Sequence, residues 1–171
     1  MGTVASEGTR GAHGFSYIEM LVVCALLGIL ATVVIPVFRW EDKRRREVRL
    51  KATLEIMRGA LDQYNKYARQ GLVQIEDVEQ CALPANRETC WPLDLEQLVE
   101  GVEVGDPKSP DIQVIQFLSR IPVDPITEEA KWGLRSYQDE WDSSSWGGEN
   151  VYDVYSLATG QALDGSYYET W

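Results

Sequence analysis

Between Met20 and Phe38 the chain reads MLVVCALLGILATVVIPVF, nineteen residues without a charge. At about 1.5 Å of rise per residue, a helix of this length reaches across a hydrocarbon core about 30 Å thick. Extending it back through Phe15 and Ile18 makes the span comfortable. A helix apolar on every side has no face to offer water, so it is either the buried centre of a large fold or a membrane span. The rest of a 171-residue chain is too small to enclose it, and the run reads as a membrane span. It is too long for an ordinary secretory signal, and no small-x-small cleavage site follows it.

Two residues in this stretch call for explanation. Pro36 lacks an N–H and clashes with the carbonyl four residues back, so it either bends the helix near the end of the span or ends it. A bend is the better reading, because helical patterning resumes at once. Leu54, Met57, Leu61 and Tyr64 recur at spacings of three and four, preceded by Val48 and Leu50, with Gly71 as a stop signal. One helix of about fifty residues is expected, apolar all round in its first half and amphipathic in its second. The other residue is Glu19, a carboxylate where the apolar run begins. Such a group is costly in a span unless it is paired or snorkels to the headgroups.

The chain as a whole has the makeup of a folded protein, with 44% hydrophobic and 25% charged residues, which excludes a disordered tail or a collagen-like repeat. Its charge is divided. Residues 1–71 hold 11 basic and 7 acidic residues, and residues 72–171 hold 5 and 20.

The residues Gly14-Phe15-Ser16-Tyr17-Ile18-Glu19, leading into Met20-Leu21-Val22-Val23, resemble the processing motif of type IV prepilins and type II secretion prepseudopilins. In that family a glycine precedes the cut, phenylalanine follows it, and glutamate is the fifth residue of the mature chain; Pro36 matches the family's proline near the end of the span. The resemblance implies cleavage by prepilin peptidase between Gly14 and Phe15, and methylation of the new Phe15 amine by the same enzyme. Residues 1–14 would be a leader, 15–38 the membrane and assembly helix, 39–71 its amphipathic continuation, and 72–171 an extracytoplasmic globular domain. In the family's filaments the glutamate of one subunit neutralises the N-terminus of its neighbour, which gives Glu19 and Phe15 an assembly role. The implied partners are further copies of the chain, minor pseudopilins, prepilin peptidase and an inner-membrane assembly platform.

The positive-inside rule points the other way on topology. Arg10 precedes the span, whereas Arg39, Lys43, Arg44, Arg45, Arg46, Arg49 and Lys51 follow it, which favours a cytoplasmic C-terminal domain. The family places that domain in the periplasm, with the N-terminus in the cytoplasm of a bacterial inner membrane, and the cysteines agree with the family. Glu41, Asp42 and Glu47 interrupt the basic run and suit i,i+4 pairs on a solvated helix face. Contact of the run with lipid phosphates or neighbouring subunits is the other reading. Nucleic acid is not an expected partner, since the following domain is acidic and carries no recognised motif.

Cys81 and Cys90 are separated by eight residues in the acidic half, while Cys24 is inside the span. Outside the cytoplasm such a pair forms a disulfide; a metal site is the weaker alternative, because the sole histidine, His13, is in the leader. Pro92–Val99 reads as a short helix with Leu95, Leu98 and Val99 inward, and Val114–Leu118 as a short apolar segment. Ile121–Pro125 is a turn-rich link into a strand over Lys131–Gln138. Asp139–Asn150 is a long polar surface loop. Val151–Ser156 alternates as a half-buried strand does, and Ser166–Trp171 reads as a last strand. The expected class is α+β, a type IV pilin-like fold in which a long N-terminal helix packs on a small antiparallel sheet.

This half resembles the major pseudopilins of type II secretion, through Pro122-x-Asp124-Pro125, Trp132-Gly133, the Val151–Ser156 strand and Leu163-Asp164-Gly165. Such pseudopilins commonly bind calcium in the loop after that strand, through backbone carbonyls and carboxylates. Here Ser156, Leu157 and Asp164 are the positions that would serve. The stretch Leu157–Gly165 is shorter than the family's usual loop and has Gly160 where an aspartate is expected. The alternative is a turn pinned by Asp164 hydrogen bonds, with Gly165 permitting positive φ. Calcium is the only cofactor in view.

Most of the aromatic residues at this end read as packing, while Trp141 and Trp146, in the polar loop, are candidates for subunit contact. No nucleophile elbow, phosphate-binding loop or acid/base pair stands out, and an enzyme is not expected. The leading reading is a structural subunit of the pseudopilus of a type II secretion system. A type IV pilus subunit and a membrane-tethered binding module are the alternatives.

Overall fold

A computed structural model describes residues 14–73, 90–106 and 111–171. The chain divides into two units, one up to Asp42 and one from Lys43 to Trp171. Helix α1, Tyr17–Arg69, runs unbroken for 53 residues. It continues through Pro36, so the proline is not a helix terminus.

Both ends of α1 follow from the sequence. Ser16 precedes the helix, and its carbonyl accepts the first turn's N–H from Met20 at 3.1 Å. At the other end Gly71 takes a φ of 71°. The Leu72 N–H reaches the Tyr67 carbonyl at 3.1 Å, and the Gly71 N–H reaches that of Ala68 at 2.8 Å. This is the Schellman pattern, which ties up carbonyls the last turn would otherwise leave unpartnered.

Among the described residues, the unit from Lys43 onward packs around a single core. Leu50, Leu54, Met57, Leu61 and Tyr64 line α1 at alternating steps of four and three, and all are buried. They share a cluster with Leu98, Val102, Leu118, Trp132, Val151, Val154 and Tyr168. Each such side chain contributes about 1.5–3 kcal/mol through its removal from water. Val48 is 61% exposed: two residues from Leu50 is roughly 200° around a helix, the opposite face.

Helix α2 covers only Glu96–Glu100, shorter than expected because Asp94 Oδ1 caps the Gln97 N–H at 2.8 Å and sets its start. Leu95 and Leu98 are buried as expected, and Val99 is half-buried. Strand β1, Val102–Val104, was not expected; it pairs antiparallel with β2, Gln113–Ile115, in the register Val102↔Ile115. Of the Val114–Leu118 segment, Val114 is exposed and Leu118 buried. Strands β3, Trp132–Arg135, and β4, Asp153–Ser156, form a second antiparallel pair. Among the described residues the named strands thus form two separate two-stranded ladders.

Strand β4 does not alternate. Val154, Tyr155 and Ser156 are all buried, because the 139–150 loop covers the face that would otherwise meet water: Tyr155 donates its hydroxyl to the Ser144 carbonyl at 3.1 Å. Tyr155 also lies directly across Gly133, where an added Cβ would sit 2.2 Å from its ring. The expected last strand is instead a single bridge, Gln161↔Tyr167, followed by a 3-10 turn at Tyr168–Thr170. Asp139–Asn150 forms no helix or strand.

Candidate functional site

The segment Gly14–Ser16 precedes α1 without regular structure and is exposed. Phe15 is 78% exposed, and a Cβ at Gly14 would meet nothing. Glu19 turns back on this segment, its Oε2 accepting the Ser16 N–H at 3.4 Å. Ser16 and Glu19 stand in the S-x-x-E spacing of a capping box, with the acidic group at the positive end of the helix. That spacing was readable in the sequence and accounts for how Glu19 is held at the start of α1.

Beyond Glu19, α1 presents an uncovered apolar surface. Every residue from Tyr17 to Thr32 is exposed, Ile18, Leu26, Leu27, Ile29 and Leu30 among them. The helix is long and apolar enough to cross a membrane. Surface of this kind is stable only against lipid or another apolar partner. Pro36 lies further along α1.

In the unit from Lys43 onward, polar groups converge on the strands. The Asp124 carboxylate is fully buried. It accepts the Ile126 N–H at 2.7 Å and the Ser156 hydroxyl at 2.5 Å. Ser156 in turn accepts the Ala158 N–H at 3.0 Å. Leu157 is exposed. Asp164 lies elsewhere in the hydrogen-bond pattern: its Oδ1 takes the N–H and hydroxyl of Ser166 at 2.9 and 2.5 Å, and its Oδ2 faces Lys51 Nζ at 3.6 Å. The Ser166 hydroxyl, the Ser166 N–H and then Lys51 hold the Asp164 carboxyl below its ordinary range. Among the described residues, no shared partner joins Ser156 to Asp164. Among the described residues, no group of three or more His, Cys, Asp or Glu is placed to hold a metal ion.

Several residues between Arg39 and Lys51 do more than face solvent. Lys43 Nζ donates to the Gln161 carbonyl at 2.7 Å, and Arg46 pairs with Glu128 at 2.9 Å. Glu47, only 8% exposed, accepts the Leu163 N–H at 3.0 Å and the Tyr168 hydroxyl at 2.9 Å. Burial and then the Glu47 carboxylate push the Tyr168 phenol up to about 12, so it stays a donor. The i,i+4 spacing of Lys43, Glu47 and Lys51 was visible in the sequence; that it faces the chain's C-terminal loop was not.

Cys81 lies outside the described residues. Cys90 is buried and disulfide-bonded, and its carbonyl accepts Asn65 Nδ2 at 2.8 Å. Cys24 is a free, exposed thiol. Trp141 is 83% exposed, whereas Trp146 donates its indole N–H to the Asn150 carbonyl at 2.8 Å.

No protein-family profile and no solved structure matches the chain. It is similar to Type II secretion system core protein G of Pseudomonas aeruginosa, with 26% identity over 157 residues, covering 92% of this chain and 90% of that protein.

Proposed function

We propose that this chain, whose resemblance to the type II secretion pseudopilins extends over nearly its whole length, is a structural subunit of a type II secretion pseudopilus. It is held in a bacterial inner membrane by the apolar half of α1, with residues 43–171 on the periplasmic side, and is drawn from there into a filament. The observation that carries this reading is the double character of α1: a wholly exposed apolar stretch from Tyr17 to Thr32 continues into the buried stripe Leu50–Tyr64. A helix built this way serves both as membrane anchor and, packed against copies of itself, as filament shaft.

Maturation supplies the missing charge. Prepilin peptidase cuts between Gly14 and Phe15 and methylates the new amine. Before cleavage the Phe15 nitrogen is a neutral amide; afterwards it is a cation four residues from Glu19, about 6 Å along a helix. The Glu19 carboxylate, which takes the Ser16 N–H in the uncut chain, then has a full counter-charge, its own or a neighbour's. In an apolar shaft that pair is strong, and an unpaired Glu19 is costly. Pro36 relieves the helix between its two halves, and a Cys81–Cys90 bridge closes the loop after α1, supported by the buried, bonded state of Cys90.

Glu19→Ala tests the assembly step. The variant is expected to be cleaved at the normal rate, since Gly14 and Phe15 are untouched, but to give little filament by pelleting and electron microscopy. A normal filament yield would reject the pairing. Fibres on the cell surface containing this chain would favour a type IV pilus subunit instead.

A further inference from the structure

The pseudopilin resemblance implies calcium in the loop after β4, with Ser156, Leu157 and Asp164 as ligand positions. The oxygens present do not fit that ion. Calcium takes six to eight oxygens, and Asp164 is the sole carboxylate in residues 157–167. Both of its oxygens are engaged, by Ser166 and by Lys51. The Ser156 hydroxyl is buried against Asp124, and the Gln161 carbonyl holds an ammonium group, that of Lys43. Two ammonium groups already on the loop's acceptors repel a divalent cation.

We propose that a stripe of α1, Lys43–Glu47–Lys51, fastens this loop in place of a calcium ion. The three residues stand four apart on one helix face. A structural calcium collects carbonyls and neutralises a carboxylate; here Lys43 collects the Gln161 carbonyl and Lys51 neutralises Asp164. Glu47 adds what no cation offers, an acceptor for the Leu163 N–H and the Tyr168 hydroxyl. Lys51 also lies over the Trp171 ring at 4.0 Å, and the Trp171 indole donates to the Ser166 hydroxyl at 2.6 Å, closing a circuit through Asp164. Two ammonium groups against two carboxylates, Glu47 and Asp164, leave no net charge for a metal to balance. The contrast with calcium rests on the pseudopilin reading; the stripe itself does not.

The test uses the full-length chain in detergent micelles. Amide hydrogen exchange over residues 157–167 and the melting temperature are measured in millimolar calcium chloride and in excess EDTA, for the parent chain and for Glu47→Gln, Lys51→Met and Lys51→Arg. Metal and chelator are expected to give the same values. Glu47→Gln, which turns a charged acceptor into a neutral one, and Lys51→Met, which removes an ion pair and the contact with the Trp171 ring, are expected to speed loop exchange about threefold to fivefold, with Lys51→Arg close to the parent. Lys51 is the more exposed of the two, so its substitution reports on the loop even if Glu47→Gln fails to fold. A melting temperature raised by calcium and lowered by EDTA would overturn the proposal, as would loop exchange unchanged in Lys51→Met. The N-terminal mass of the same sample separates the two readings. An intact Met1 beside a metal-indifferent loop rejects the pseudopilin and keeps the stripe; N-methyl-Phe15 beside a calcium-dependent loop does the reverse.

Discussion

Arg58 is the residue through which α1 grips strand β4. Its Nε donates to Asp153 Oδ1 at 2.7 Å, and Nη2 donates to the carbonyls of Val154 and Trp171 at 2.9 and 2.8 Å. Arg135, 8% exposed, completes the group by reaching Asp153 Oδ2 at 3.4 Å and lying 4.1 Å from the Tyr155 ring centre. Removing one partner strands the other, so Arg58→Ala and Asp153→Asn should each lower stability by about 2–3 kcal/mol in urea melts; a loss within error of zero would mean that solvent replaces the group. Asp139 makes a separate pH prediction. Hydrogen bonds from the N–H groups of Ser136 and Gly147, and then nearby Arg135, hold its carboxyl below the ordinary range. Its folded value being depressed, its hold on the 139–150 loop is complete above the ordinary aspartate range and is lost as pH falls through the depressed value. Exchange of the Ser136 and Gly147 amides should therefore rise only in acid below the ordinary range, and a rise centred above that range would contradict the assignment. None of these contacts was legible beforehand. The spacing of Arg58, Arg135 and Asp153 along the chain encodes nothing, and they meet only because β3 and β4 pair and dock on α1.

Among the elements, α1 was the most legible. An uncharged run, a step-of-three-and-four pattern and a terminal glycine are each local signals, and together they gave its extent. Met57 lies at the centre of its buried stripe, so Met57→Ala should cost about 2–5 kcal/mol by denaturant titration. A cost under the lower bound would mean that the core collapses around the gap. The positions of β3 and β4 were legible but their surroundings were not: Val151–Ser156 alternates in sequence as a half-buried strand does, yet Val154 and Tyr155 are neighbours and both are covered. A similar limit hid β1, three residues long and defined by its partner β2. The close approach of β3 and β4 gives Gly133 a purpose beyond its place in a motif. Gly133→Ala would drive a methyl into the Tyr155 ring and should lower stability by about 1–3 kcal/mol. An unchanged melting temperature would show that the ring can move aside.

At the scale of the whole molecule, the charge division acquires a structure. The basic run divides between residues that bind the unit from Lys43 onward, Lys43, Arg46 and Lys51, and residues left exposed, such as Arg44 and Arg49. Residues 72–171 carry the acidic excess, and domains of one sign repel when they are stacked in a filament. Salt screens that repulsion within about 10 Å at 0.1 M, so assembled filaments should gain stability as salt rises; indifference to salt would mean that packing of the helices alone decides. The exposed apolar half of α1 is legible from sequence, whereas the sequence of the loop after β4 leaves open a choice between an ion and a pinned turn. The most direct measurement is the mass of the N-terminal peptide of the chain isolated from its native membrane. The pseudopilin reading predicts a chain beginning at N-methyl-Phe15, and an N-terminus still carrying Met1 to Gly14 would contradict it.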